Sequence, residues 1–577
     1  MTMLTKWGAA LDRSCPLPEY PRPQLRRESF YNLNGVWDYA VTPSGDEPEV
    51  WDGEIVVPFS PEAPLSGATR GPAKDEYLHY RRGFTLPERF QKSRVLLHFG
   101  AVDQIAEVFV NGVSAAKHSG GYWPFSADIT SLLREGENIL RVTVRDNADD
   151  PTFAYGKQRY KRGGMWYTAQ SGIWQTVWLE SVPEVYVKSL RITPEFDEAR
   201  VRIELETALE SGAAITCDVR AADGSFVAGS WAKGGVCVVP LPGFRAWTPD
   251  DPYLYTLDIT CGEDRVESYF AMRKFSYVEL GGHKVFGLNN APLFHNGLLD
   301  QGYYPDGLLT PPSDEAMVND IETMKRCGFN MLRKHIKIEP LRWYYHCDRL
   351  GMIVWQDMVS GGQPYSFLHV SALPTLGKID LPDQDAKPYG RSGVLSRARF
   401  RREMADTVRL LYNCPCIALW TVFNEGWGQF DALDMANELK KLDPTRFIDH
   451  ASGWQDQGYE EMKSRHIYFR PVKLKNDGRA LALTEYGGYI LAVDGHRWTD
   501  KVFGYRICRN SAALAHDYEK LMLGQVLPHI RKEGLTAAVY TQITDVEEEL
   551  NGLMTYDREV LKIPEETLRE INKQLKF

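Results

Sequence analysis

The stretch that most limits what this chain can fold into is Ile417-Ala418-Leu419-Trp420-Thr421-Val422-Phe423-Asn424-Glu425-Gly426-Trp427-Gly428. Its apolar run is rich in β-branched and aromatic residues and has no polar face. That suits a strand buried on both sides, as in a parallel sheet covered by helices. The run stops at Asn424-Glu425-Gly426. A carboxylate just past the C-terminal end of such a strand stands where α/β barrels carry their reactive groups. Taken alone, it suits a helix cap or a buried ion pair equally well. Leu481-Ala482-Leu483-Thr484-Glu485 repeats the arrangement, and Gly487-Gly488 then lets the chain turn sharply. The interval between the two carboxylates has room for two further strand–helix units of about 25–30 residues each. Glu425 and Glu485 would then project from one rim, and two acids facing one cleft are the minimal equipment for cleaving a glycosidic bond.

A chain of 577 residues is too long for one core and calls for about two to four domains. Lys and Arg number 67 against 77 Asp and Glu, a net charge of −10, with no long run of one sign. That argues against nucleic acid or an anionic membrane as partner. Many of the 15 Trp and 29 Tyr must be core, but aromatic faces also make platforms for the apolar face of a sugar ring. The first residues, from Met1 to Gly8, contain no apolar signal-peptide core, and no window approaches about 18 uninterrupted apolar residues. The 9 Cys are scattered, and Cys414-Pro415-Cys416 has no second Cys or His pair to complete a zinc site. Reduced structural thiols, a cytoplasmic location and no metal or cofactor are the expectation.

Residues 1–185 read as all-β: the segments 35–41, 94–99, 106–110 and 139–144 alternate or run apolar, separated by turns such as Asn111-Gly112 and Gly120-Gly121. Short strands without helices imply a sandwich. Residues 186–275 repeat the pattern at a length that suits an immunoglobulin-like sandwich. From 276 to 577 strands alternate with helices. Ser313 is placed to cap an amphipathic helix ending at Gly328, a second helix runs from Pro340 to Gly351, and a third covers 396–413. Strands are expected at 292–295, 329–333, 352–357, 417–423, 446–449, 466–468, 481–485 and 537–542. About eight such units close a (β/α)8 barrel, with Glu425 ending the fourth strand and Glu485 the seventh. The Gly- and Pro-rich stretch 358–395 is expected to lie over the same rim as an active-site loop.

These segments resemble glycoside hydrolase family 2, the group of β-galactosidases, β-glucuronidases and β-mannosidases. The likeness rests on Leu33-Asn34-Gly35-Val36-Trp37, Val108-Phe109-Val110-Asn111-Gly112 and the run from Gly120 to Thr130, and on Gly328-Phe329-Asn330-Met331-Leu332-Arg333, Asn424-Glu425-Gly426 and Thr484-Glu485-Tyr486-Gly487. It implies a jelly roll, an immunoglobulin-like sandwich and a TIM barrel. It further implies an exo-acting retaining β-glycosidase acting on an oligosaccharide or glycoside, with Glu425 as acid/base and Glu485 as nucleophile. The resemblance assigns Asn424 to the 2-hydroxyl of the sugar, Arg333 to orienting a carboxylate and Tyr468 to the neighbourhood of the nucleophile. Asp300, Asp357 and His335 are further rim candidates for sugar contacts, and Trp427 could wall the leaving-group side. Relatives are often multimeric, so a homo-oligomer is compatible.

The sugar is narrowed by departures from the family. Asp357-Met358-Val359-Ser360 stands where the large β-galactosidases carry a Glu-x-His magnesium set, which again implies no metal. Asn551-Gly552-Leu553 lacks the lysine with which β-glucuronidases bind the substrate carboxylate. A neutral β-galactoside is therefore the leading expectation. The alternatives are a uronide bound through Arg333, Lys334 or Lys337, a mannoside or furanoside, or a carbohydrate-binding protein without catalysis.

Overall fold

The computed structural model describes residues 3–209, 214–377 and 379–577, with the backbone alone at 376 and 377. Met1 and Thr2 of the N-terminal reading and residue 378 of the expected rim loop lie outside the described residues. Two antiparallel sheets face each other at the N-terminus. One orders Phe30–Asn32, Val177–Val182, Arg94–Phe99 and Phe125–Asp128. The other orders Gly53–Val57, Gly35–Thr42, Tyr77–Thr85, Glu137–Arg145, Ile105–Val110 and Val113–Ser119. Along Ile105–Val110, the alternate residues Ala106, Val108 and Val110 enter the core between the sheets, the two-residue period of a strand with one face covered. The hairpin that follows turns at Asn111 and Gly112, both at positive φ (51° and 84°), a conformation that Asn and Gly accept at least cost.

A second pair of antiparallel sheets covers Val187–Glu195 to Asp264–Phe270 around its own apolar cluster, with Cys217, Cys237, Ile259 and Val266 inside. Tyr255–Cys261 buries every second residue.

The rest is a parallel barrel of eight strands: β1 His295–Asp300, β2 Met331–Lys334, β3 Ile353–Asp357, β4 Ile417–Thr421, β5 Phe447–Asp449, β6 Met462–Ile467, β7 Ala480–Gly487 and β8 Leu535–Thr541. Hydrogen bonding runs β5-β4-β3-β2-β1-β8-β7-β6. The ring therefore lacks a ladder only between β5 and β6, and side chains span that seam. Ser464 Oγ lies 2.9 Å from Asp449 Oδ1 and 3.0 Å from the Ala451 carbonyl, while the Ile448 N–H donates to Glu461 Oε2 at 3.2 Å. Helices Asp314–Arg326, Leu341–Leu350, Val394–Leu411 and Ala432–Leu442 pack outside. Ser313 caps the first, accepting from the Ala316 N–H at 3.2 Å, and Gly351 ends the second in the left-handed region.

Eight strands, with Glu425 after the fourth and Glu485 on the seventh, match the sequence reading. Individual edges do not. The first strand starts at His295, where the reading ended it, because 291–292 pairs with the preceding hairpin. The sixth begins at Met462 and stops before Tyr468. The strand–helix alternation breaks after α-helix Ala432–Leu442: loops without helices join β5 to β6 and β6 to β7.

One N-terminal segment belongs to the barrel as much as to its own sandwich. The Tyr155 and Gly156 N–H groups both donate to the Ser360 carbonyl beyond β3, at 3.1 and 2.9 Å. Across the mouth, the Thr168 N–H donates to Glu547 and the Tyr167 hydroxyl to Glu549, at 2.8 and 2.5 Å, beyond β8. Residues 154–168 thus bridge two sides of the rim.

Gly487 closes β7 two residues after Glu485, at φ +81°, and a Cβ there would lie 2.2 Å from Tyr540 Cε2 on β8. A side chain at that point meets both a disfavoured backbone and a ring held on the neighbouring strand. Gly487→Ala is expected to cost about 2–4 kcal/mol of stability. A thermal melt unchanged from wild type would show that β7 and β8 are not so tightly packed.

Candidate active site

Arg333, fully buried at the end of β2, ties four strands together. Its Nε and Nη2 donate to the two oxygens of Asp357 on β3, at 2.9 and 3.0 Å. Nη2 also donates to Asn424 Oδ1 at 2.8 Å, beyond β4, and Nη1 to the Thr484 carbonyl and Glu485 Oε1 on β7, both at 3.1 Å. Only a planar fork of donors can satisfy acceptors in so many directions. Burial alone would raise Asp357, but Arg333 and His335 hold its carboxyl down at about 2. His335 Nδ1 lies 2.8 Å from Asp357 Oδ2, and burial lowers that imidazole to about 4, so it is neutral.

Glu485 is inside β7 and its Oε2 accepts from the Tyr468 hydroxyl at 2.6 Å. Glu425 stands four residues past β4, in the left-handed region at φ 53°. Its N–H donates to the Ser452 carbonyl and its own carbonyl accepts from Trp454 Nε1, both at 2.9 Å. A glutamate pays conformational energy there, of order 1 kcal/mol, and these two bonds impose it. The role of helix cap is excluded, since the next helix starts at Ala432.

His466 lies between the two acids. Its Nδ1 is 2.8 Å from Glu425 Oε1 and 3.5 Å from Glu485 Oε2, and its Nε2 is 3.2 Å from Ser452 Oγ. One ligating atom from each of Glu425, His466 and Glu485 falls within 4.8 Å of the other two. Such a trio is of the kind that can take a metal ion, and it is also internally hydrogen-bonded as it stands. Burial lowers His466 to about 3, leaving a neutral ring. Burial raises both Glu425 and Glu485, and the charge of Glu425 raises Glu485 further. Two carboxylates this close in a largely buried site hold a proton between them more readily than either would in water. Arg333 and Tyr468 donate to Glu485 alone, which favours the anion there.

The remaining rim candidates divide. Asn424 and Tyr468 lie at the pair, Asp357 is joined to it through Arg333, and His335 touches only Asp357. Asp300 is engaged elsewhere, accepting from Lys334 Nζ at 2.7 Å and from the Gly302 N–H at 2.9 Å. Trp427 turns into the seam with the N-terminal segment, its ring centre 5.0 Å from Trp166 and 5.8 Å from Tyr155. The cations considered for an acidic sugar are already committed. Arg333 serves Asp357 and Glu485. Lys334 also pairs with Glu339 at 2.8 Å, and Lys337 donates to the Gly302 and Leu309 carbonyls as well as to Glu339. Parts of the Gly- and Pro-rich stretch bond to the rim: the Gly428 N–H donates to the Tyr389 carbonyl at 2.8 Å and the Gln455 N–H to Asp380 Oδ1 at 2.8 Å.

Sequence reasoning passed over His466. A signal existed: two residues before Tyr468 on an extended segment, it must point the same way.

Three family models match the chain: the glycosyl hydrolases family 2 sugar binding domain over residues 64–183, glycosyl hydrolases family 2 over 185–273, and its TIM barrel domain over 311–474. The chain belongs to glycoside hydrolase family 2. A β-galactosidase of Thermoanaerobacter pseudethanolicus is 25% identical over 64% of this chain, and a β-glucuronidase of Paenibacillus borealis 22% over 82%. The match covers 85% of that glucuronidase but only 47% of the galactosidase, so the chain spans about half the length of the latter. Among solved structures, a β-glucuronidase of an uncultured Clostridium sp. aligns with TM-score 0.75 at 19% identity, covering 96% of this chain and 99% of that one. Ruminococcus gnavus β-glucuronidase in complex with uronic isofagomine aligns with TM-score 0.75 at 16% identity, covering 97% and 100%. These likenesses establish the fold of two β-sandwiches and a TIM barrel. No helix of the described residues is long and apolar enough to cross a membrane.

The Arg333 hub gives a stability prediction. In wild type, Asp357 is depressed, so its contribution is complete above the unfolded value of 3.8 and is lost only as pH falls toward about 2. Arg333→Met leaves Asp357 and Glu485 as buried anions without their cation, at a cost of about 3–5 kcal/mol at neutral pH. Their carboxyls then rise, so protonation between about pH 7 and pH 4 should relieve the repulsion and narrow the gap to wild type. Melting curves with a pH-independent gap would contradict this account.

Proposed function

We propose that this protein is an exo-acting retaining β-glycosidase that removes a terminal β-linked sugar by double displacement. The observation that carries the reading is the pair itself: Glu425 and Glu485 offer carboxyl oxygens within 4.8 Å of each other on the barrel mouth. Retaining enzymes hold their carboxyls about 5–5.5 Å apart, whereas inverting enzymes leave about 6.5–9.5 Å for a water.

In this reading Glu485, kept ionised by Arg333 and Tyr468, attacks the anomeric carbon as the bond to the leaving oxygen breaks. Glu425 delivers its proton to that oxygen. Water then enters, Glu425 takes a proton from it, and the resulting oxygen displaces Glu485, returning the β configuration. His466 shares the Glu425 proton from behind. Asn424, its Oδ1 already taken by Arg333, keeps its amide N–H groups to donate to the 2-hydroxyl. The N-terminal bridge of residues 154–168 and the stretch around Tyr389, bonded to Gly428, wall the mouth, which suits a chain-end sugar better than a through-running polymer. Eight of the nine cysteines are buried free thiols, in keeping with a reducing cytoplasm.

The two acids are distinguishable by chemical rescue. Glu425→Gln and Glu485→Gln should each lower turnover of an aryl β-glycoside by at least about 10³-fold while the fold is kept. With azide, Glu425→Ala should form the β-glycosyl azide and Glu485→Ala the α-anomer. The same anomer from both variants, or full activity in either Gln variant, would refute the assignment. In wild type, activity should fall as pH rises through the elevated pKa of Glu425 and fall as pH drops through that of Glu485.

A further inference from the structure

The seam between the first β-sandwich and the barrel holds a cavity of about 210 Å³ that shares no wall residue with the acid pair or its hydrogen-bond partners. Phe99, Trp174 and Trp178 reach it from the sandwich. Met317, Ile338 and Leu341 reach it from the barrel, two of them on the helices after β1 and β2. Protein interiors are packed to crystal density, with few voids larger than a water molecule. A buried apolar cavity of about 150 Å³ already takes a benzene molecule. This one has room for a single substituted ring.

The charges on its walls are committed within the protein. Arg22 donates to Glu180 and Arg342 to Asp314, both at 2.7 Å, while Glu339 accepts from Lys334 at 2.8 Å. The indole N–H groups of Trp174 and Trp178 go to the Gly121 carbonyl and to Glu180, at 2.7 and 2.9 Å. Two buried wall atoms have no hydrogen-bond partner among the described residues: His98 Nε2 and Glu19 Oε2. His98 is only 3% exposed, and its ring stacks on Trp178 with centres 4.8 Å apart. Its Nδ1 lies 2.6 Å from Ser126 Oγ, whereas Glu180 Oε2 stands 3.8 Å from Nε2, beyond hydrogen-bond reach. Burial lowers this imidazole to about 3, so the ring is neutral, and burial raises the Glu19 carboxyl.

Buried polar atoms are almost always partnered, so an open pair of them beside a void defines what the void lacks. An ion entering it would find no free counter-charge, which favours a neutral occupant. A hydroxyl suits both open atoms: it donates to a carboxyl oxygen, and it donates to or accepts from an imidazole nitrogen in either tautomer. Indole and phenyl walls suit an aromatic ring.

We infer that this cavity is a second ligand site, separate from the catalytic cleft, for a neutral single-ring aromatic alcohol whose hydroxyl bonds His98 Nε2. The inference uses none of the residues of the glycosidase reading and stands or falls apart from it. A bound ring would join the sandwich to the barrel at Ile338, in the loop that follows β2.

Calorimetric titration of the full-length protein with p-cresol, toluene and p-toluate tests this. p-Cresol should bind at least about tenfold more tightly than toluene, the effect of one hydrogen bond to an otherwise unpaired buried atom. The anion p-toluate should bind more weakly than p-cresol. His98→Phe keeps a ring against Trp178 but has no Nε2, and should bring p-cresol down to the affinity of toluene. Leu341→Trp fills the space from the barrel side and should abolish binding of both; Leu410→Trp, on another wall helix, does the same if the first variant does not fold. Affinity for p-cresol unchanged in His98→Phe or in a folded Trp variant would put the ligand elsewhere, the catalytic cleft included, and overturn the inference. Equal affinity for p-cresol and toluene, tighter binding of p-toluate, or no binding of p-cresol would overturn it as well.

Discussion

A single guanidinium sets the geometry of this protein's cleft. Arg333 is surrounded by acceptors from β3, from the turn after β4 and from β7, and its planar fork satisfies them without solvent. Removing such a group from water is expensive, and the compensation exists only when the strands stand in the closed ring. Arg333 therefore couples closure of the barrel to the placement of Glu485 and Asn424: the same bonds that offset its burial hold both side chains at the mouth.

Around that hub the two acids are differentiated by their surroundings. Glu485 lies in regular strand and accepts from Arg333 and Tyr468. Glu425 lies in a left-handed turn, with no arginine contact and a neutral histidine against it. The histidine connects to Ser452, which follows β5, and Ser464 on β6 closes the seam beside it. The one gap in the hydrogen-bonded ring is thus filled by polar side chains next to the acid/base candidate. The cost of an open sheet edge is met there by groups that also orient the site.

The mouth is a composite of domains. The bridge from Tyr155 to Thr168 is fixed at Ser360 on one side and at Glu547 and Glu549 on the other, and Trp166 packs against Trp427 behind it. Trp427 thereby supports the wall.

The barrel, its eight strands and the two rim acids were legible in the sequence because each rests on a local signal. Apolar runs too uniform for an amphipathic element must be covered on both faces, and a carboxylate at the end of such a run has one place to go. The sandwiches were legible through their two-residue period and turn residues. Strand edges were less so: whether Pro292 joins a hairpin or β1 depends on which backbone partner is nearest, and periodicity does not carry that. The commitments of charged groups were not legible at all. Arg333, Lys334 and Lys337 look like three free cations in a row, yet burial pairs each with acceptors far along the chain. Sequence by itself determined the fold class and the acids, since local patterning and strand-end position suffice for both. Tertiary structure alone decided which charges are spent and which remain, because pairing energy depends on distances that only the closed, multi-domain packing sets.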